Sequence, residues 1–221
     1  MIAISELSQF IDVCKYKSIL CLDGDLPKQE FFEQTSLPII SADGATNKLM
    51  KMGIVPEAVV GDLDSISPEI LRCVRYEKVI DQNYSDFQKV LRYMACHDLL
   101  PAIICGISGG HIDHIVNNVN IFMQTSDNVF ITDDVVGYKI QGDCQYTFPI
   151  DTKISIIGMP ECVITTQGLK WELRDFYTTY PGQNSCFNRV AKTPLSVQIK
   201  SGTALLMAYT NKVVDAGLIA I

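Results

Sequence analysis

The amino-acid sequence predicts an α/β chain in two parts: a parallel-sheet domain over residues 1–135 and an all-β sandwich domain over residues 136–221. Three observations carry this. Between Ser18 and about Thr132, short apolar runs alternate with helical patterns, which is how strand-helix units of a parallel sheet read. After about Val136 the helical patterns stop, and short strand-like segments follow one another between Gly, Pro and Asp turns. The early runs end repeatedly in acidic or Gly-rich residues, and in an open α/β sheet the ligand crevice lies outside the carboxyl ends of the strands.

In chain order, the apolar runs of the first part are Ile19 to Leu22, Pro38 to Ile40, Ala58 to Val60, Lys78 to Ile80, Ala102 to Ile104 and Val129 to Ile131. Each is near-continuously apolar rather than alternating, as strands covered on both faces should be. Between them Phe87, Val90, Leu91 and Met94 recur at i, i+3, i+4 and i+7, and so do Ile112, Ile115, Val116 and Val119. Both sets read as amphipathic helices. In the second part Gln145 to Ile150, Lys153 to Ile157, Cys162 to Thr166, Leu169 to Leu173, Leu195 to Lys200 and Thr203 to Tyr209 read as short strands of a small sandwich.

Composition narrows the function. A net charge of −7 argues against a nucleic-acid partner, because phosphate backbones are bound by clustered Lys and Arg. An acidic protein that handles phosphates needs a metal to supply positive charge. Eight cysteines are spread singly, without a C-x-x-C pair, so neither a zinc ribbon nor a disulfide scaffold is expected. No secretory signal and no stretch of membrane-spanning length is visible. A cytoplasmic protein with reduced thiols is the expectation.

The strand ends supply the chemistry. Gly61 to Ser65 places Asp62 and Asp64 on alternate residues just past an apolar run, where two carboxylates can converge on a hard cation such as Mg²⁺. The same stretch also reads as a plain strand-to-helix turn, with Asp64 or Ser65 capping the helix that Pro68 begins. Asp86 would stand in the first turn of the next helix, as a dipole-favoured carboxylate or as a third metal ligand beside Asp62 and Asp64. Gly106 to His114 is a Gly-rich loop opening a helix, a natural anion site. His111 and His114 at i, i+3 have zinc-compatible spacing, but no further cluster supports zinc, and a polar, ligand-facing role is the better reading. Trp171 is the sole Trp; a lone Trp is usually core, but between Lys170 and Glu172 it also reads as an exposed platform for a flat ring.

Taken together these motifs resemble the thiamine pyrophosphokinase family. The family's Ala-Asp-Gly-Gly-Ala-Asn is matched by Ala42 to Asn47, its Gly-Asp-Leu-Asp-Ser by Gly61 to Ser65, and its Asp-Gln-x-x-Thr-Asp-Phe by Asp81 to Phe87. Its Gly-Gly-Arg-x-Asp-His…Asn is matched by Gly109 to His114 and Asn117 or Asn118. Its Gly-Leu-Lys-Trp and Ser-x-Ser-Asn are matched by Gly168 to Trp171 and, loosely, by Ser185 to Asn188. Ala45, His111 and Phe187 depart from the pattern, standing where the family has Gly, Arg and Ser.

The resemblance implies a transferase that moves pyrophosphate from ATP to the thiamine hydroxyl and releases AMP. On this view the first domain binds nucleotide and Mg²⁺, and thiamine sits at a homodimer interface. Asp62, Asp64 and Asp86 would hold the metal, with Asp113 orienting or deprotonating the hydroxyl. Asp43, Gly44, Asn47, Gln82, Gly109, Gly110 and His111 would meet ATP, and Trp171, Ser185 and Asn188 would meet thiamine. Two rivals stand beside this reading. Asp23-Gly24-Asp25, with Asp133-Asp134, resembles an aspartyl-nucleophile phosphatase, though Leu26-Pro27 spoil its pattern. A non-catalytic thiamine or nucleotide sensor could keep the same fold.

Overall fold

The computed structural model describes residues 4–210, and these separate into two compact units. One is residues 12–133; the other joins residues 4–11 to residues 134–210. The sequence reading placed residues 1–135 together, whereas the segment carrying α1 (Ile4–Leu7) groups with the second unit. Burial explains this. Leu7 and Ile11 are buried, the Phe10 ring lies 5.8 Å from that of Phe148, and the Tyr138 hydroxyl donates to the Phe10 carbonyl at 2.9 Å.

The first unit runs β1 (Ser18–Cys21), α2 (Gln29–Glu33), β2 (Ile39–Ala42), α3 (Asp43–Lys51), β3 (Ala58–Gly61), α4 (Pro68–Leu71), β4 (Tyr76–Lys78), α5 (Asp86–Cys96), β5 (Ala102–Cys105), α6 (Ile112–Phe122) and β6 (Val129–Ile131). Its strands are all parallel, in the order β4-β3-β2-β1-β5-β6. The chain steps outward from β1 to β4, then returns to the other side of β1. Loops leaving β1 and β5 therefore part in opposite directions, which opens a crevice at their carboxyl ends. The apolar runs become the wholly buried strands β1, β3 and β5.

The fourth strand differs from expectation. The run Lys78 to Ile80 reads as a covered strand, but the strand is Tyr76–Lys78, exposed at all three residues, and Ile80 lies exposed beyond it. It is the end strand of this sheet, where charged side chains blunt further pairing. Helix α5 opens with a capping box between Ser85 and Gln88 and buries Phe87, Val90 and Met94. Helix α6 keeps the expected spacing but not the expected burial: Ile112 is 73% and Val116 53% exposed, and only Ile121 and Phe122 at its end are buried.

The second unit is an antiparallel β-sandwich of β7 (Val135–Ile140), β8 (Cys144–Tyr146), β9 (Lys153–Gln167), β10 (Phe176–Thr179), β11 (Ser185–Arg189) and β12 (Leu195–Tyr209). β9 and β12 pair along most of their length, with register shifts between Ile199 and Ser201 and between Gly202 and Ala204. On one side of these bulges they take β11 and β7 as partners; on the other they take β10 and β8. One bent pair thereby serves both layers. The four short strands expected over these stretches are thus two long ones, bent where turns were read. Leu169 to Leu173 is not a strand and contributes only an isolated bridge from Leu169 to Val190.

Candidate active site

The site is built first by strand neighbours. β2 pairs with β3 so that Ala42 faces Val60, which brings Asp43, the first residue of α3, alongside Gly61. A Cβ on Gly61 would lie 2.8 Å from the Asp43 Cβ, so glycine is what permits the approach. Beyond Gly61 the loop turns at Leu63, whose φ of +64° is uncommon for a non-Gly residue. Leu63 is buried in a cluster with Val59 and Ile66, which anchors the loop between its two acids. Carboxylate oxygens of Asp43, Asp62 and Asp64 come within 4.8 Å of one another.

Three carboxylates so close are electrostatically unfavourable. Asp43 is 2% exposed, and its Oδ1 is buried without a hydrogen-bond partner. Burial, reinforced by Asp62, pushes its pKa up to about 6. Asp62 is held below the ordinary carboxylate value, first by Gln82, whose Nε2 donates to Oδ2 at 2.9 Å, with a smaller contribution from Lys89. A buried oxygen lacking a donor, amid hard carboxylate ligands, fits a divalent cation such as Mg²⁺. Asp86, read from the sequence as the third ligand, instead accepts an ion pair from Lys89 at 3.0 Å.

These groups line a cleft of about 660 Å³ within the first unit. Asp43, Gly44, Asp62, Asp64, Asp86, Gly109, Gly110, His111 and Asp113 all face it. Gln82 and Asn47 support it from behind, through Asp62 and through an Asn47 Nδ2 bond to the Ser65 carbonyl at 2.8 Å. Gly109 has φ +92°, and a Cβ there would meet the Asp25 carboxylate at 2.5 Å. The loop it begins leads into the N-terminus of α6, where backbone N–H groups and the helix dipole favour an anion. His111 occupies the α6 N-cap without a side-chain cap, and Asp113 Oδ1 accepts from the His114 N–H at 2.9 Å. Two lysines were missed. Lys48 reaches Asp23 at 2.9 Å on the cleft wall, and Lys89 lies buried behind Asp62 and Asp86. The only signal in the sequence for the latter was the i, i+3 spacing of Asp86 and Lys89.

Comparison with known proteins then decides the family. One family model, described as the thiamin pyrophosphokinase catalytic domain, matches residues 29–131, and a second, its vitamin B1 binding domain, matches residues 144–204. The chain belongs to the thiamin pyrophosphokinase family. Thiamine pyrophosphokinase 3 of Oryza sativa subsp. japonica is 25% identical over 68% of this chain and 64% of its own length. Thiamine pyrophosphokinase 2 of Arabidopsis thaliana is 27% identical over 66% and 62%. The chain therefore spans a little under two thirds of these relatives. Solved thiamin pyrophosphokinases share its fold. The yeast structure has a TM-score of 0.78 at 17% identity, covering 98% of this chain and 93% of its own. The Bacillus subtilis structure has 0.72 at 19%, covering 88% and 100%.

The family's B1-binding region holds the remaining sequence-predicted residues. Trp171 is 56% exposed, with Lys170 Nζ 4.9 Å from its ring centroid. Asn188, expected to face a ligand, is buried and spends its amide on Trp171: Oδ1 accepts from the Trp171 N–H at 3.2 Å, and Nδ2 donates to the Trp171 carbonyl at 2.7 Å. Glu172 accepts from the Gly168 N–H at 2.7 Å and the Thr166 hydroxyl at 3.0 Å. These bonds hold an exposed indole in a fixed loop. Ser185 opens β11, paired with Ile156. Of the departures from the family motifs, Ala45 is fully buried in α3, and Phe187 is exposed at φ +55° with its ring 5.2 Å from that of Tyr209.

Proposed function

We propose that this chain transfers the pyrophosphoryl group of ATP to the hydroxyl of thiamine, giving thiamine diphosphate and AMP. The observation that carries the reading is the convergence of Asp43, Asp62 and Asp64 in a cleft that also receives the α6 N-terminus, in a chain of this family. Asp43, Asp62 and Asp64 would hold Mg²⁺, which when bound supplies positive charge against the phosphate oxygens. The N–H groups after Gly109 receive phosphate oxygens, with His111 beside them. Asp113 orients the thiamine hydroxyl and takes its proton. The hydroxyl oxygen bonds to the β-phosphorus as the bond from that phosphorus to the α–β bridging oxygen breaks, and AMP leaves with that oxygen. Positioning and fixed charge carry most of the rate in such transfers. Trp171 stacks on the thiamine ring.

The working protein is proposed to be a cytoplasmic homodimer. Thiols at all eight cysteines fit a reducing compartment, and the exposed Ile112 and Val116 on α6 offer an apolar surface for a second copy. Among the described residues no helix is long and apolar enough to cross a membrane. The phosphatase reading is not favoured, since the family models that match residues 29–131 and 144–204 are both thiamin pyrophosphokinase domains. The test is incubation with Mg-ATP and thiamine. AMP and thiamine diphosphate should form in equal amounts; ligand binding without turnover would instead favour a sensor.

A further inference from the structure

Behind the cleft lies a buried charged group that this mechanism leaves unused. Lys89 is 4% exposed, and it does not line the cleft but lies behind it. Its ammonium sits 3.0 Å from Asp86 Oδ1 on its own helix and 4.0 Å from Asp62 Oδ2 on the loop after β3. An i, i+3 helix pair contributes only a few tenths of a kcal/mol, too little to account for burying a lysine. The contact across to Asp62 is the more informative one. α5 fixes the stem, because the capping box sets where the helix starts and Phe87, Val90 and Met94 are packed in the core.

We propose that Lys89 is a positioning residue that holds down the intrinsic cation affinity of the Asp43–Asp62–Asp64 cluster, so that the metal enters with the nucleotide rather than residing on the bare protein. This rests on the metal reading above. A fixed ammonium beside Asp62 competes for the charge that a divalent ion would use, and it repels that ion directly. ATP brings further anionic ligands to the ion, and these tip the balance. Lys89 also pairs with Asp86, and Asp43 rather than Asp86 converges with Asp62 and Asp64.

The test is Mn²⁺ titration of the full chain, followed by electron paramagnetic resonance, without nucleotide and then with a non-hydrolysable ATP analogue. Wild type should bind Mn²⁺ weakly alone and more tightly with the analogue. Lys89→Met and Lys89→Gln should each bind Mn²⁺ alone about tenfold more tightly, because a nearby positive charge has gone. Lys89→Arg should stay close to wild type. Circular dichroism confirms the fold of each variant. A merely structural lysine would act in the opposite direction, since loosened carboxylates bind a metal less well. Unchanged or weakened Mn²⁺ binding in the neutral variants overturns the proposal, as does failure of both to fold. Absence of Mn²⁺ binding by wild type even with the analogue overturns the metal reading beneath it as well.

Discussion

Replacing Asp43 with Asn should make the metal-free protein more stable at neutral pH and above. The Asp43 carboxyl is buried, its Oδ1 has no donor, and its pKa is pushed from 3.8 to about 6. A carboxyl whose folded pKa exceeds its unfolded value binds its proton more tightly in the folded state. The folded protein then holds more protons than the unfolded chain between about pH 4 and pH 6, so stability falls as pH rises through that window. A rise of about two, at about 1.4 kcal/mol for each pKa unit, sets an upper limit of about 3 kcal/mol. The variant also loses the Asp43 contact that helps to hold Asp62 below its ordinary value, so the gain falls short of that limit. Urea unfolding in EDTA should place the Asp43→Asn variant above wild type at about pH 8, with the gap closing by about pH 4 where Asp43 is protonated. Added Mg²⁺ should stabilise wild type and do less for the variant. A variant less stable than wild type at about pH 8 in EDTA, or a gap independent of pH, would refute the reasoning.

Other expectations follow from the same geometry. Asp62→Asn or Asp64→Asn should leave the fold nearly intact and lower turnover by a few orders of magnitude; full wild-type turnover in EDTA would sink the metal role. Thiamine should quench the Trp171 fluorescence of wild type, and Trp171→Ala should weaken thiamine far more than ATP, whereas equal loss of both ligands would mark Trp171 as interface or core. His111→Arg should tighten ATP several-fold by adding a bidentate cation beside the α6 N-terminus, and unchanged affinity would place His111 away from the phosphates.

The interior strands of the first unit were legible because burial on both faces writes an apolar run into the sequence, as at Ala58–Gly61 and Ala102–Cys105. β4 was not, because an edge strand carries no such run, and neighbouring Val79 and Ile80 supplied a misleading one. The segments on either side of Pro160 and of Gly202 read as separate strands because Pro and Gly interrupt regular strands, yet these two residues fall where long strands bend. Within the site, the acids themselves were visible but their grouping was not. Five strand ends carried polar residues, and only the register of β2 against β3 makes Asp43, rather than Asp86, the neighbour of Asp62. Asn188 was assigned to a ligand because its motif position is visible, while its two bonds to the Trp171 backbone exist only in the folded chain.

Asp43 has a bland explanation that magnitudes dispose of. It is the first residue of α3, where the helix dipole favours a carboxylate by about 0.3–1 kcal/mol. Burial beside Asp62 costs up to about 3 kcal/mol, which exceeds that, so an N-terminal carboxylate is not the net gain here. The preceding residue, Ala42, supplies no side-chain cap either. Lys89, buried behind Asp62, is locally unfavourable in its turn, and Asp43 and Lys89 are the two charged side chains buried among the described residues. Independent packing accidents would scatter over the chain. Their meeting at three converging carboxylates is the pattern left by a site whose stability is completed by a ligand. A cation that binds the folded state alone converts the cost into a gain that grows with its concentration.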